Sequence, residues 1–408
     1  MTEAQTPPLT FVCLASYFKG AEFMRECRRA GCRVFVITKE KFAGEDWPRE
    51  SLEELIVVPN ETSPDVYLHT VNQLGRRIKI DRVVALEEFD VMMAGRIREE
   101  LLLPGMSSAE ARRYRDKLLM RAVAKGAGIR VPEFVHVLNY EALGEYMQRV
   151  PAPWVMKPRS DVSAVGIKKI HESEELWRAI DAFDEREKLL ERSPYYLLER
   201  FVPGEVFHVD SLVNDGQVAF AGVNRYGRPP MDVSHQGGVF ISQTVKYNSP
   251  EQRELLKLNR KLIRSFGLTH GATHAEFIKS DADGEFYFLE VACRVGGAYI
   301  AETMEAASGL NIWREWARIE IARGRDSYKL PAPRREYGGI ALSLARQEYP
   351  DTSGYTDAEI VYRVRKANHV GLIVRSPDTE RVNSLLCQYA RRFIEEFTAV
   401  VPPPERPG

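Results

Sequence analysis

Residues 9–15 form an unbroken apolar run, LTFVCLA, the pattern of a strand buried on both faces. A helical spacing of apolar and charged positions follows from Glu22 and is closed by Gly31, and a second apolar run occupies Arg33 to Thr38. Strand, helix and strand at this spacing predict a βαβ unit. A strand at Leu55–Val58, a helix over about 64–77 and a strand over 82–88 continue the alternation, so residues 1–106 read as a small doubly wound α/β domain. Its first turn, Ser16-Tyr17-Phe18-Lys19-Gly20, lacks the glycines that let backbone approach a pyrophosphate, so no dinucleotide site is expected there. A small substrate at this strand end stays open.

Ser107 and Glu110 make a capping-box signature that predicts one helix to about Lys125, ended by Gly126 and Gly128. After Pro151 and Pro153 the period changes to that of antiparallel strands, at 154–157, 166–170, 195–201, 206–213, 217–226 and 240–245, with one amphipathic helix over 172–192. Asn214-Asp215-Gly216 predicts a tight hairpin turn. Ser249-Pro250-Glu251-Gln252 opens a helix that runs to Gly267. A hairpin, GATHAEFIKS–DADG–EFYFLEVACR, is stopped by Gly296-Gly297, and helices fill 299–323. From Tyr337 onward, short strands and a last helix over 378–397 predict a C-terminal α+β segment at 331–408, with a frayed Pro-rich end.

Composition narrows the function more than the fold. Lys and Arg number 57 against 58 Asp and Glu, a net charge of −1, so no global field favours nucleic acid or an anionic membrane. No apolar window approaches the roughly 18 residues of a membrane span, and the N-terminus has no signal-peptide pattern. Five cysteines without a C-x-x-C read as reduced thiols of a cytoplasmic protein, not as a zinc site or disulfide framework.

Three stretches carry candidate chemistry. Glu276 and Glu290 lie seven residues either side of position 283, the hairpin turn, so their side chains share one face. Two carboxylates in apolar sequence repel unless a proton or cation lies between them, and Mg²⁺ suits such a pair; two solvated glutamates are the plain alternative. Arg294 has the parity of Glu290 and would point the same way in an extended strand. In WVMKPRSDVSAVGIKKI (154–170) a buried strand ends at Lys157 before a small-residue loop that can fold over phosphates; a simple hairpin with a solvated lysine is the alternative. In YYLLERFVPGEVFHVDSLV (195–213), Glu199, the turn backbone and Glu205 make an edge suited to a purine, or ordinary edge charges.

Other residues read as structural. His235, His270 and His274 are expected to be satisfied loop or strand histidines, although His235-Gln236-Gly237-Gly238 allows close substrate approach. Cys293 reads as core. The basic run Arg112, Arg113, Arg115, Lys117, Arg121, Lys125 reads mostly as a solvated helix face. Glu87, Glu88 and Asp90 could meet an amine at the domain cleft.

Taken in order, Lys117 in RDKLLM, Lys157 in VMKP, Glu199 to Glu205 in LLERFVPGE, Glu276 in HAEF, and Glu290 to Arg294 in EVACR resemble the ATP-grasp superfamily over about residues 105–325, closest to its biotin-carboxylase-like and L-amino-acid-ligase-like branches. The resemblance implies a pre-ATP-grasp domain at 1–106 and an ATP-grasp module at 107–330, with a flap subdomain over about 131–198. It implies ATP with Mg²⁺, or Mn²⁺ in its place. Lys117 and Lys157 would bind phosphates, and the 158–166 loop with Ser163 and Gly166 would cover them. Glu199 and the backbone of Phe201 and Val202 would hold adenine. Glu205 would take the ribose, with His208 or Asp210 as alternatives. Glu276 and Glu290 would ligate the metal, and Arg294 would steady an acyl phosphate. The implied activity joins small-molecule carboxylate and amine substrates and releases ADP and phosphate; a homodimer is left open. Bicarbonate activation, or a non-catalytic ATP-binding scaffold, are the alternatives. Ala292 stands where many members carry an Asn that helps hold a second metal.

Overall fold

Four apolar runs build the first sheet: β1 (Thr10–Leu14), β2 (Arg33–Lys39), β3 (Glu54–Val58) and β4 (Arg82–Ala85), parallel in the order β3-β2-β1-β4. β1 is apolar throughout because both faces are covered. Val12 and Leu14 pack with residues of α2 (Pro64–Gly75) and α3 (Val91–Glu100), while Phe11 and Cys13 pack with α1 (Ala21–Arg29). The computed structural model describes residues 8–160, 166–187, 196–230, 233 and 237–399; the Pro-rich end at 400–408 lies outside them.

The expected single helix after Ser107 is two, α4 (Ser108–Arg112) and α5 (Lys117–Gly126). Ser107 and Glu110 do form the capping box. The chain then breaks because Asp116 caps a new helix, its Oδ1 accepting the N–H groups of Leu118 and Leu119. Next comes a small antiparallel sheet of β5 (Phe134–Val137), β6 (Trp154–Pro158), β7 (Lys168–Ile170) and β8 (Tyr196–Arg200), ordered β5-β8-β6-β7. Its apolar face packs Trp154, Met156 and Leu198 against α6 (Tyr140–Arg149) and α7 (Ser173–Glu187).

The largest sheet holds β9 (Gly204–Asn214), β10 (Gln217–Tyr226), β11 (Phe240–Thr244), β12 (Gly271–Ser280), β13 (Phe286–Ala292), β14 (Tyr337–Leu344), β15 (Ile360–Arg363) and β16 (His369–Ser376). Their order is β13-β12-β9-β10-β11-β14-β16-β15. Asp215 and Gly216, at φ 49° and 72°, are the two left-handed residues of the β9–β10 turn. α8 (Pro250–Phe266), capped by Ser249, covers one face of this sheet; α9 (Ile300–Ser308) and α10 (Ile312–Ala322) lie on the other. The C-terminal segment is not set apart: β14 pairs with β11, so its strands extend the same sheet beneath α11 (Thr379–Glu396). No helix among the described residues is long and apolar enough to cross a membrane.

Candidate active site

The β12–β13 hairpin brings Glu276 and Glu290 directly opposite each other. The register then shifts, since Phe277 pairs with Phe288 and leaves Leu289 as the extra residue of a bulge. Both glutamates line a cavity of about 500 Å³. Lys117 from the start of α5, Lys157 from β6, Glu199 from β8, Phe201 and Val202 from the turn after β8, and Arg294 line the same cavity.

Half of the basic run is not solvated, although Arg112 and Lys125 are exposed. Arg115, Lys117 and Arg121 are all buried, Arg121 completely. The Arg121 guanidinium pairs with Glu199 at 2.9 Å and donates to the carbonyl of the bulged Leu289. Glu199, 3% exposed, also holds the Lys157 ammonium. Burial pushes the Lys157 pKa down, and Glu199 opposes this only in part. Burial pushes Glu199 up, but Arg121 and Lys157 outweigh it and hold it below its ordinary value. The Lys117 Nζ lies 3.4 Å from Glu290. Burial likewise raises Glu290, yet Lys117, Lys157 and Arg121 together hold its carboxyl at about 2. Lys117 and Lys157 in the cavity wall, with the buried Arg121 behind them, therefore keep Glu290 anionic.

Glu276 is fixed from behind. The Tyr226 hydroxyl donates to its Oε1 at 2.8 Å, and His274 Nε2 lies 3.4 Å from the same oxygen. His274 Nδ1 meets Asp210 Oδ1 at 2.9 Å; Asp210 Oδ2 meets His208 Nδ1 at 2.5 Å, and His208 Nε2 meets Ser242 Oγ at 2.7 Å. Burial disfavours charge on His274, but Asp210 wins and raises it to about 10. The ligand atoms of His208, Asp210 and His274 cluster within 4.8 Å, as a metal site would require. The contacts of 2.5 and 2.9 Å are hydrogen bonds that pair both Asp210 oxygens with a ring nitrogen each, so the cluster is accounted for as a relay. His274 is therefore more than a passive strand histidine: it orients a cavity carboxylate.

β13 ends at Ala292, so Arg294 reaches the cavity from beyond the strand. Its Nη2 donates to Glu88 Oε2 at 2.8 Å, and Arg115 Nη1 donates to Glu88 Oε1 at 2.6 Å. The buried Arg294 Nε has no partner among the described residues. Glu87 pairs with Lys19, and Asp90 accepts from the Ser16 N–H at 2.7 Å and from its hydroxyl. Burial raises the Asp90 carboxyl to about 6, although Ser16 opposes the shift. Cys293 is core, its thiol pushed up to about 12 by burial first and Glu88 second.

Glu205, His208, Asp210 and Gly166 do not line the cavity. Glu205 points outward, with its side chain 56% exposed and bonded to Arg225 at 3.0 Å. His208 is fully buried, with both ring nitrogens committed. Gly166 has φ 72°, and a Cβ there would lie 2.9 Å from Pro158 Cγ, so glycine permits the close return of the loop onto the end of β6. Ser163 and His235 lie outside the described residues. Sequence reasoning missed Arg121 and Tyr226. Arg121 follows Lys117 by one helical turn, a spacing that places both on one face; nothing near Tyr226 in sequence signals Glu276.

Residues 150–302 match the family described as ATP-grasp domain, and residues 24–105 match the ATP-grasp N-terminal domain. The chain is 26% identical over 299 residues to an L-arginine-specific L-amino acid ligase of Bacillus subtilis, covering 69% of this chain and 70% of that protein. It is 24% identical over 284 residues to the N-terminal section of a carbamoyl phosphate synthase large chain from Aquifex aeolicus, covering 68% of this chain but 47% of that one. In fold it resembles a crystal structure of L-amino acid ligase from Bacillus licheniformis, with a TM-score of 0.76 at 17% identity over 97% of this chain and 99% of the other.

Proposed function

We propose that this chain, a member of the ATP-grasp superfamily, joins a small carboxylate to an amine at the expense of ATP, by way of an acyl phosphate. The observation that carries the reading is one cavity in which paired Glu276 and Glu290 face Lys117, Lys157 and Arg294. Phosphoryl transfer depends on positioning and charge neutralisation more than on covalent help, and this donor set supplies both.

The backbone of Phe201 and Val202 would meet the adenine edge. Glu199 would act mainly by holding Lys157 and Arg121 in place, with Lys117 and Lys157 on the phosphates. The fit for a divalent cation is good: Glu290 is kept anionic at about 2 behind a burial penalty, and Glu276 is oriented by Tyr226 and His274. Mg²⁺, or Mn²⁺ in its place, would neutralise the β- and γ-phosphate oxygens when bound. Ala292 offers no donor, which favours a single ion. Arg294, steadied by Glu88 of the N-terminal domain, would bind the transferred phosphoryl group. The functional divisions would fall at about residues 106 and 330, with a flap over 131–198, and the substrates would be small molecules. The cysteines among the described residues are all free, which suits a reducing cytoplasm.

The test is turnover with ATP and Mg²⁺ on a panel of L-amino acids, singly and in pairs, with bicarbonate as a separate arm. The expected products are ADP and phosphate, with ¹⁸O from a labelled carboxylate appearing in the phosphate. AMP and pyrophosphate, or unlabelled phosphate, would exclude the acyl phosphate. Stimulation by bicarbonate alone would replace the amino-acid reading.

A further inference from the structure

β10 pairs with β9 from Gln217 to Arg225, but on its other side β11 meets only Asn224, Arg225 and Tyr226. Val245 closes the next position by donating its N–H to the Val223 carbonyl at 2.9 Å. Among the described residues no strand pairs with that side of residues 217–222, and Val218 to Gly222 are each only partly buried. Such an open edge offers backbone donors and acceptors to another extended chain.

This edge is the floor of a groove of about 340 Å³, walled by α8 on one side and by α9 with the 330–335 segment on the other. No residue lines both this groove and the catalytic cavity. Its charge is one-sided: Arg253, Arg260, Arg334 and Arg335 line it, and no Asp or Glu does. Arg253 and Arg260 are two turns apart on one face of α8, with Leu256 between them. Arg334 donates to the carbonyls of Glu305 and Ala306 at 3.3 Å and lies 3.8 Å from Glu336, which is outside the groove lining, and Arg335 lies over the Tyr247 ring at 5.8 Å. At the inner end Asn224, 1% exposed, donates through Nδ2 to Met304 Sδ at 3.1 Å. Its Oδ1 is buried in the groove wall with no partner among the described residues. A buried acceptor left unpaired is uncommon and points to a donor that arrives from outside.

We infer that this groove binds a short extended peptide segment rich in Asp and Glu, which adds as a strand to the 218–222 edge. The peptide's backbone would pair with β10, one of its N–H groups would satisfy Asn224, and its carboxylates would meet the four arginines. Alternate side chains of an added strand point to opposite faces, so carboxylates can reach α8 on one side and the 330–335 segment on the other. A free amino-acid carboxylate would satisfy the arginines but not the edge.

The probe is fluorescein-labelled Glu-Glu-Val-Glu-Glu-Val-amide, which presents carboxylates on both faces of an extended strand, titrated with the full chain and followed by anisotropy at low and physiological salt. Saturable, salt-sensitive binding is expected, with an equal carboxylate concentration of free L-glutamate failing to displace the probe. Arg253→Gln with Arg260→Gln, both exposed and outside the catalytic cavity, should weaken binding at least tenfold while ATP turnover stays unchanged. A probe N-methylated at alternate residues keeps its charge and loses edge pairing, so it should also bind at least tenfold more weakly. Absence of saturable binding, indifference to the double substitution, equal binding of the methylated probe, or displacement by glutamate would each overturn the proposal.

Discussion

Replacing Glu290 by Gln keeps the side-chain volume and removes one charge at the point where Lys117, Lys157 and Arg121 converge. The carboxylate is held at about 2, so the wild-type group is anionic wherever the chain is active. A charge-assisted contact contributes about 1.5–3 kcal/mol, so losing one anionic ligand should raise the metal concentration needed for turnover by about 10- to 150-fold. Maximal turnover should fall as well, because a misplaced cation neutralises the phosphate oxygens less well. Metal-free nucleotide should behave oppositely. The three cations would face less carboxylate charge, so ADP in EDTA should bind at least as tightly as to wild type. The fold should hold, since the Glu290 side chain is 40% exposed and its ion pair with Lys117, at 3.4 Å, is a long one. Phosphate release titrated with Mg²⁺, calorimetry with ADP, and the thermal midpoint report these three quantities separately. A folded variant with wild-type metal dependence would refute the metal assignment, whatever its activity.

Lys157→Ala should weaken a non-hydrolysable ATP analogue by about 1.5–3 kcal/mol in calorimetry, the range for a charged hydrogen bond; unchanged affinity would mean that Lys157 serves only Glu199. His274→Gln should raise the metal requirement several-fold while leaving metal-free ADP binding alone, because it releases Glu276 without touching nucleotide; an equal loss in both would point to general damage instead. Arg121→Met should destabilise the protein by about 3–5 kcal/mol in chemical denaturation, toward the lower end because Lys157 still holds Glu199, and a loss below about 1 kcal/mol would contradict the buried pair. Asp90 binds its proton more tightly when folded, with a pKa of about 6 against an ordinary 3.8, so wild-type stability should decline as pH rises through that window. Asp90→Asn should flatten that stretch of the pH–stability curve, and a persisting slope would assign it to another group.

Sequence periodicity gave the strands and most helices because each was written locally. The LTFVCLA run reads as a two-sided strand because Val12 and Phe11 do face different helices. The hairpin count from position 283 placed Glu276 against Glu290, and the pairing holds because the Leu289 bulge adds one residue; the pairs nearer the turn, Phe277–Phe288 and Ile278–Tyr287, alone would have set Glu276 opposite Leu289. The same local reading failed where a polar residue had two meanings. Asp116 lies inside the stretch expected as one helix, yet it caps a second helix. Arg115 and Arg121 looked solvated, because composition cannot tell a charged residue facing water from one facing a buried carboxylate.

The remaining features depend on partners far apart in the chain. Glu88 follows the last strand of the first sheet, and Arg294 lies 206 residues later, just beyond β13; neither segment carries a pattern that names the other. Their contact exists because the segment after β4 and the segment after β13 meet beside the cavity that Arg294 lines. Glu88 also holds Arg115, which donates to the Ser160 carbonyl at the start of the loop after β6. One carboxylate therefore touches both the arginine that lines the cavity and an arginine that holds the Ser160 carbonyl. In the buried setting of Glu88, removing that carboxylate would leave two enclosed guanidinium groups without their shared anion, an effect much larger than a surface ion pair provides. The segment after β4 and the segment after β13 are thus joined beside the candidate cavity, and that coupling becomes visible only when the chain is folded.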